Sequence, residues 1–362
     1  MSRFSRLFLC LLLLPLSAAS GQNSSQPQLQ TRPGPSVPPG SPDRRITLEV
    51  QVRDKSGAAV RGLQKQDFTL LDDKQPKDIV SFKAVESGAD PDGDPPVEMI
   101  LVVDAVNMGH QTISVEQAEL KKFLLRNGGK LPVPMSLVVF TDTETKMQNS
   151  FSRDGNALAA QYDQIETGLR YNTRSSGFYG AEERYNLSLK TLTSIMRFEG
   201  TRPGRKLVIW FSAGWPLLSG PRVDLSSKQE EQFFDKVVAM SDGLRQARIT
   251  LYSIDPLGMS DAGSTRTFYY KEFLKGVPFP KRVRPGNLGL QVLATQSGGL
   301  VLNSTNDLAS AIADCVSDAD AFYVLSFDGA RADHANEFHA LELTVDKPGL
   351  TARTRMGYYA QP

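Results

Sequence analysis

Apolar positions along this chain change period twice, and the changes divide it. From Ile46 the pattern alternates, so that Ile46, Leu48, Val50 and Val52 share one side of an extended segment. That is the mark of a half-buried strand. Asp54-Lys55-Ser56-Gly57 reads as a turn, and Phe68–Leu71 and Ile79–Phe82 read as further strands divided by an Asp-Asp-Lys turn. Three or four strands make half of a sandwich. The other half is expected at the far end, where His339–Val345 alternates through Leu341, Leu343 and Val345, and Thr351–Tyr359 reads as one more strand.

Between these ends the apolar runs become continuous: Met99–Val103, Ser136–Phe140, Leu207–Phe211, Ile249–Ile254, Leu300–Leu302 and Phe322–Leu325. Continuous Val, Leu and Ile suit strands covered on both faces. Helical stripes separate them. Leu158, Tyr162, Ile165 and Leu169 share one face, as do Phe234, Val237, Ser241 and Leu244, and as do Leu308, Ile312 and Cys315. The expected fold class is therefore α/β. A doubly wound, mostly parallel sheet carries helices on both faces, and a small β-sandwich forms from the N- and C-terminal segments. The expected boundaries are 44–86 for the first strands, 97–317 for the α/β part and 318–362 for the returning strands.

Composition changes this picture mainly at the N-terminus. Arg3 and Arg6, the apolar run Leu7–Leu16 and the small residues Ser17-Ala18-Ala19-Ser20 read as a cleaved secretion signal over 1–20. A Pro-rich linker follows over 21–43, expected to be extended and mobile. The run is too short to span a membrane and no later run is longer, so no transmembrane segment is expected. The destination is secreted or periplasmic. Of the two cysteines, Cys10 leaves with the signal and Cys315 lies on an apolar helix face, so no disulfide staples the fold. With 41 Lys and Arg against 40 Asp and Glu, and no basic cluster, nucleic acid is not an expected partner.

Several runs carry a resemblance. They are E-M-I-L-V-V-D at 98–104, D-F-T-L-L-D-D-K at 67–74, G-R-K-L-V-I-W-F-S-A-G-W-P-L-L-S-G-P at 204–221 and L-Y-S-I-D-P-L-G at 251–258. L-A-T-Q-S-G-G at 293–299 and R-T-R-M-G-Y-Y-A at 353–360 complete the set. The stretch from Val97 to about Ser317 resembles the von Willebrand factor type A domain, and the mature chain is similar to secreted bacterial proteins labelled VWFA-related, abundant in Acidobacteria. The resemblance implies an adhesion-type fold in which three loops at one sheet edge hold a divalent cation. In that family the first loop reads D-x-S-x-S, the second supplies a threonine and the third an aspartate.

This chain departs from that set. The first loop, Asp104-Ala105-Val106-Asn107-Met108, keeps the aspartate and loses both serines. The third reads Ser212-Ala213-Gly214, without a carboxylate, and the second, near 174–183, offers no matching threonine. A hard cation wants several oxygens, so Asp104 is a degenerate metal ligand, with Mg²⁺ or Mn²⁺ the ions the resemblance would bring. Asn107 offers a carbonyl oxygen as a replacement. Without the metal, Asp104 is expected to accept backbone N–H bonds and cap the helix that begins near Gln111.

The candidate ligand-binding residues are the aromatics of the loops, Trp215, Phe178 and Tyr179, together with Asn107 and His110. Aromatics give large contact area at low entropy cost. A long connection over 257–286 adds Phe268, Tyr269, Tyr270, Phe273, Phe279 and the basic Lys281, Arg282 and Arg284, and connections of this length are often functional. The alternative for the aromatics is that they fill the space of a lost metal. Asn23, Asn186 and Asn303 open N-x-S/T triplets read as chance. The function expected is a secreted, non-catalytic protein-interaction or adhesion module that meets a protein or glycan partner. The alternatives are metal-dependent adhesion through Asp104, or a hydrolase built on His110 and Asp104 that lacks a serine elbow.

Overall fold

Strand Glu98–Asp104 is the centre from which the rest is organised. The computed structural model describes residues 44–86, 97–148, 150–166, 177–216, 218, 224–256, 272–303 and 307–362. The segments expected as signal and linker, and the aromatic half of the long connection, 257–271, lie outside them. Along the chain come β1 (Arg45–Arg53), β2 (Phe68–Asp72), β3 (Gln75–Pro76), β4 (Ser81–Glu86) and β5 (Glu98–Asp104). Next are α1 (His110–Leu124), β6 (Lys130–Phe140), β7 (Thr145–Met147), β8 (Ser152–Asp154), α2 (Gly155–Glu166) and α3 (Phe178–Glu199). β9 (Lys206–Phe211), α4 (Ser227–Gln246), β10 (Ile249–Ile254), α5 (Leu290–Gln296), β11 (Val301–Leu302) and α6 (Leu308–Ser317) follow. β12 (Ala321–Asp328), β13 (Glu337–Val345), β14 (Thr351–Arg353) and β15 (Gly357–Ala360) end the chain.

The large sheet runs β11-β10-β9-β5-β6-β7, with β8 also on β6. Its β5, β6, β9, β10 and β11 pairings are parallel, and β7 and β8 are antiparallel to β6. Counted from β5 along the sheet, this is the doubly wound order, in which consecutive crossovers reverse direction beside the first strand. Apolar side chains bury on both faces. Met99, Leu101, Val103, Leu207 and Ile209 meet α1, α2 and α6, while Ile100, Val102, Val208 and Trp210 meet α3, α4 and α5. The expected α/β class with helices on both faces is present.

The terminal segments form two antiparallel sheets, β14-β1-β12-β4 and β15-β13-β2-β3. Their shared core contains Ile46, Leu48, Val50, Phe68, Leu70, Tyr323, Leu325, Phe327 and Tyr358. Two expectations need correction. Phe322–Leu325 is not a strand of the large sheet; β12 pairs antiparallel with β1 and β4. It reads as continuous because both faces are covered: Tyr323 and Leu325 face the sandwich core, whereas Phe322 packs into the core of the α/β part. Thr351–Tyr359 is two strands, not one. β14 pairs with β1 and β15 with β13, so the chain changes sheets across Thr354–Met356. The pivot is polar: Arg355 is buried there.

Gly299 explains part of the L-A-T-Q-S-G-G run. A Cβ on it would intrude on the carbonyl oxygen of Leu251 in β10. Gly299→Ala therefore has to push the α5–β11 turn off the sheet. It should cost about 1–3 kcal/mol, seen as a lower urea midpoint with an unchanged slope.

Candidate functional site

Asp104 ends β5 at the sheet edge where the loops gather, and its side chain is fully buried. Oδ1 accepts the backbone N–H of Val106 (3.1 Å) and of Asn107 (2.8 Å). The Asn107 amide nitrogen lies against both carboxylate oxygens, 3.1 Å from Oδ1 and 2.8 Å from Oδ2. Trp210 Nε1 donates to Oδ2 at 2.9 Å, and the Ser212 hydroxyl donates to the same carboxylate. Burial pushes the Asp104 carboxyl above its ordinary value, against the opposing bonds from Trp210, Asn107 and Ser212.

Asn107 thus plays a different part from the one its sequence position suggested. Its amide nitrogen, not its carbonyl, turns to Asp104, and it also donates to Ser188 Oγ at 2.8 Å. A carboxylate needs donors or a cation, and at this spacing the N–H groups supply the donors. Asn107 Oδ1 is left buried without a partner. The helix-capping half of the expectation for Asp104 does not hold. Its bonds close the turn at 104–107, and the N-cap of α1 is Gly109, which supplies no side-chain cap.

Ser188 was the residue missed. It sits on the buried face of α3 with Tyr185, Thr191, Leu192 and Ile195, and its hydroxyl donates to Arg184 O at 2.8 Å. The sequence signal was the helical spacing of that face; the N-L-S triplet around it drew attention to glycosylation instead. The third loop is ordered by Ser212 Oγ, which accepts Gly214 N at 3.1 Å.

The aromatic candidates separate. Trp215 is 1% exposed and packs edge-on against Trp210 at 5.2 Å and Tyr185 at 6.5 Å between ring centroids. Its ring is buried against these two aromatics beneath the third loop. Its Nε1, like Gln291 Oε1 near the same loop, has no hydrogen-bond partner. Phe178 and Tyr179 open α3 at 57% and 83% exposure, and they form a T-shaped pair 6.0 Å apart. His110 begins α1; its side chain is outside the described residues.

The described part of the long connection is docked, not free. Phe273, Val277 and Val283 are buried, and Tyr359 Oη donates to Val277 O at 3.1 Å. Phe279 stays exposed, with the Arg282 guanidinium 5.9 Å over its ring.

A second polar centre lies at the opposite end of the large sheet and holds the sandwich to it. Asp318, just after α6, is buried. Arg53 of β1 reaches its Oδ1 at 2.6 Å, Tyr252 of β10 donates to Oδ2 at 2.6 Å, and Arg353 of β14 bonds the same oxygen. Arg205 donates to the Asp318 carbonyl at 2.9 Å. Burial alone would raise this carboxyl, but Arg353, the Tyr252 hydroxyl, Arg205 and Arg53 together hold it below the usual carboxylate value.

No family model and no curated protein matches the chain. Among solved structures it is similar to human Sec24c, a COPII-coat protein, at 10% identity and TM-score 0.34, over 74% of this chain and 44% of that one. It is also similar to manganese-loaded Plasmodium vivax TRAP protein, at 11% identity and TM-score 0.36, over 78% of this chain and 98% of that one. A mutant of the PilB minor pilin from Streptococcus sanguinis matches at 14% identity and TM-score 0.36, covering 75% and 78% of the two chains.

Proposed function

We propose that this chain is a secreted, non-catalytic protein-interaction module whose loop edge works without a metal at Asp104. The observation that carries the reading is the saturation of that carboxylate by Val106, Asn107, Trp210 and Ser212. A metal-dependent edge needs open oxygens for a hard cation, and here the Asn107 amide lies across both of them. The same bonds tie up the carboxylate that a His110–Asp104 hydrolase would use to orient its base.

Contact with the partner falls to Phe178 and Tyr179, exposed aromatics on the first turn of α3, the helix whose Ser188 bonds Asn107. Paired aromatics of this kind are common interface anchors. The test is a capture of native secreted proteins on the immobilised mature chain, run with and without chelator. The same partner should be retained under both conditions and lost on the Phe178→Ala, Tyr179→Ala double variant, whose melting temperature should match the parent. Capture that needs Mg²⁺ or Mn²⁺ and fails in Asp104→Ala would instead establish metal-dependent adhesion.

A further inference from the structure

The sandwich carries a cluster that the loop edge does not involve. Asp72 ends β2, Asp73 begins the tight turn into β3, and His339 lies opposite them on β13. The turn is built for this placement: Asp73 and Lys74 both take positive φ, 48° and 65°, as a two-residue hairpin loop that follows sheet twist requires. Three ligand-type atoms converge there, all within 4.8 Å of one another. His339 Nδ1 is 2.9 Å from Asp72 Oδ1 and 3.1 Å from Asp73 Oδ2.

What surrounds these atoms is as telling as their spacing. The remaining oxygen of each carboxylate is already held. Asp72 Oδ2 accepts from Tyr358 Oη at 2.9 Å, and Asp73 Oδ1 accepts from Ala340 N at 2.9 Å. The His339 ring is fixed by stacking on Tyr358, 5.2 Å between centroids and 19° from parallel, and its side chain is 7% exposed. One oxygen of each aspartate and one imidazole nitrogen are therefore aimed at a common point by an outer layer of contacts, as in metal sites generally.

Two aspartates thus face one imidazole nitrogen, and Lys77 Nζ stands farther off, 3.7 Å from Asp72 Oδ2. A divalent ion at the point where the three atoms converge would meet both carboxylates at once.

We propose that Asp72 Oδ1, Asp73 Oδ2 and His339 Nδ1 form a binding site for a first-row divalent transition ion, with Zn²⁺ the leading member. An imidazole with two carboxylates suits Zn²⁺ or Mn²⁺ above Mg²⁺ or Ca²⁺. The Asp73 side chain is 49% exposed, which leaves the outer side of the ion to water. A ring that ligates through Nδ1 carries its one N–H on Nε2, which has no acceptor here, so affinity should fall below that of closed four-ligand structural sites.

The site is tested on the full mature chain by calorimetric titration with Zn²⁺, with Mn²⁺ and Mg²⁺ as comparators, alongside thermal melts. Saturable binding of one Zn²⁺ per chain is expected, with a raised melting temperature. It should weaken at least about tenfold in Asp73→Asn, an exposed turn residue whose loss leaves the core intact, and in His339→Gln, while Asp104→Ala binds as the parent does. Absence of saturable Zn²⁺ binding, or binding unchanged in Asp73→Asn, overturns the assignment.

Discussion

Asp318→Ala should lower the unfolding free energy by about 3–5 kcal/mol, the usual cost of leaving buried charges without their counter-ion. The reason is the number of elements that meet at this one carboxylate. Arg53 comes from the first strand of the sandwich, Arg353 from one of its last, and Tyr252 from the large sheet. The alanine variant keeps all of the cationic groups and removes the one anion between them. Urea unfolding measures the loss, and a change below about 1 kcal/mol would mean that water screens the arginines as it does surface pairs. The pH dependence has a definite sign. Because the folded-state carboxyl is held below its ordinary value of 3.8, its contribution is complete above that value. It disappears as the pH falls through the lower folded-state value. The difference between parent and variant should therefore be flat near neutrality and shrink only in strong acid.

Asp104→Ala should cost on the order of 3 kcal/mol, since it strands the N–H groups of Val106, Asn107 and Trp210 in a buried place. Its pH signature is the opposite one. Burial raises this carboxyl above 3.8, so the pH-dependent part of its contribution is complete below that value and is lost as pH rises through the raised folded-state value. The penalty for the alanine variant should grow on acidification toward pH 4, where the penalty for Asp318→Ala has not yet begun to fall. Parallel pH series on the two variants separate the two centres. Adding Mg²⁺ or Mn²⁺ should shift neither the parent's nor the Asp104 variant's stability through this edge; a cation-dependent gap between them would sink the proposed function.

The large sheet was legible because its strands are short, apolar and covered on both faces, as at Leu207–Phe211. The same property misled at Phe322–Leu325. A strand buried between the sandwich core and α6 looks, in one dimension, like a strand buried between two helix layers. At the loop edge the residue types were readable and their orientations were not. Asn107 presents an acceptor and a donor with equal ease, and only the pre-existing demand of Asp104 for donors decides between them. Trp215 and Tyr179 look equivalent as loop aromatics, yet one packs under the loops and the other stands in solvent. The Asp72, Asp73 and His339 grouping was hidden by chain separation. The Asp-Asp-Lys turn read simply as a turn, and His339 as a strand residue remote from the loop edge.

The interleaving of early and late strands sets an order of assembly. β5, β6, β9, β10 and β11 find one another within residues 98–302. By contrast, the Arg45–Asp328 pair joins groups 283 residues apart, and β1 has both its neighbours, β12 and β14, at the far end of the chain. Loop-closure entropy disfavours such a pairing until the intervening chain has compacted. The first of the described strands is therefore among the last to be paired, and in the interval both of its hydrogen-bonding edges are open to any other extended chain. Asp318, which only then receives Arg53 and Arg353, is the latch that closes the sequence of events.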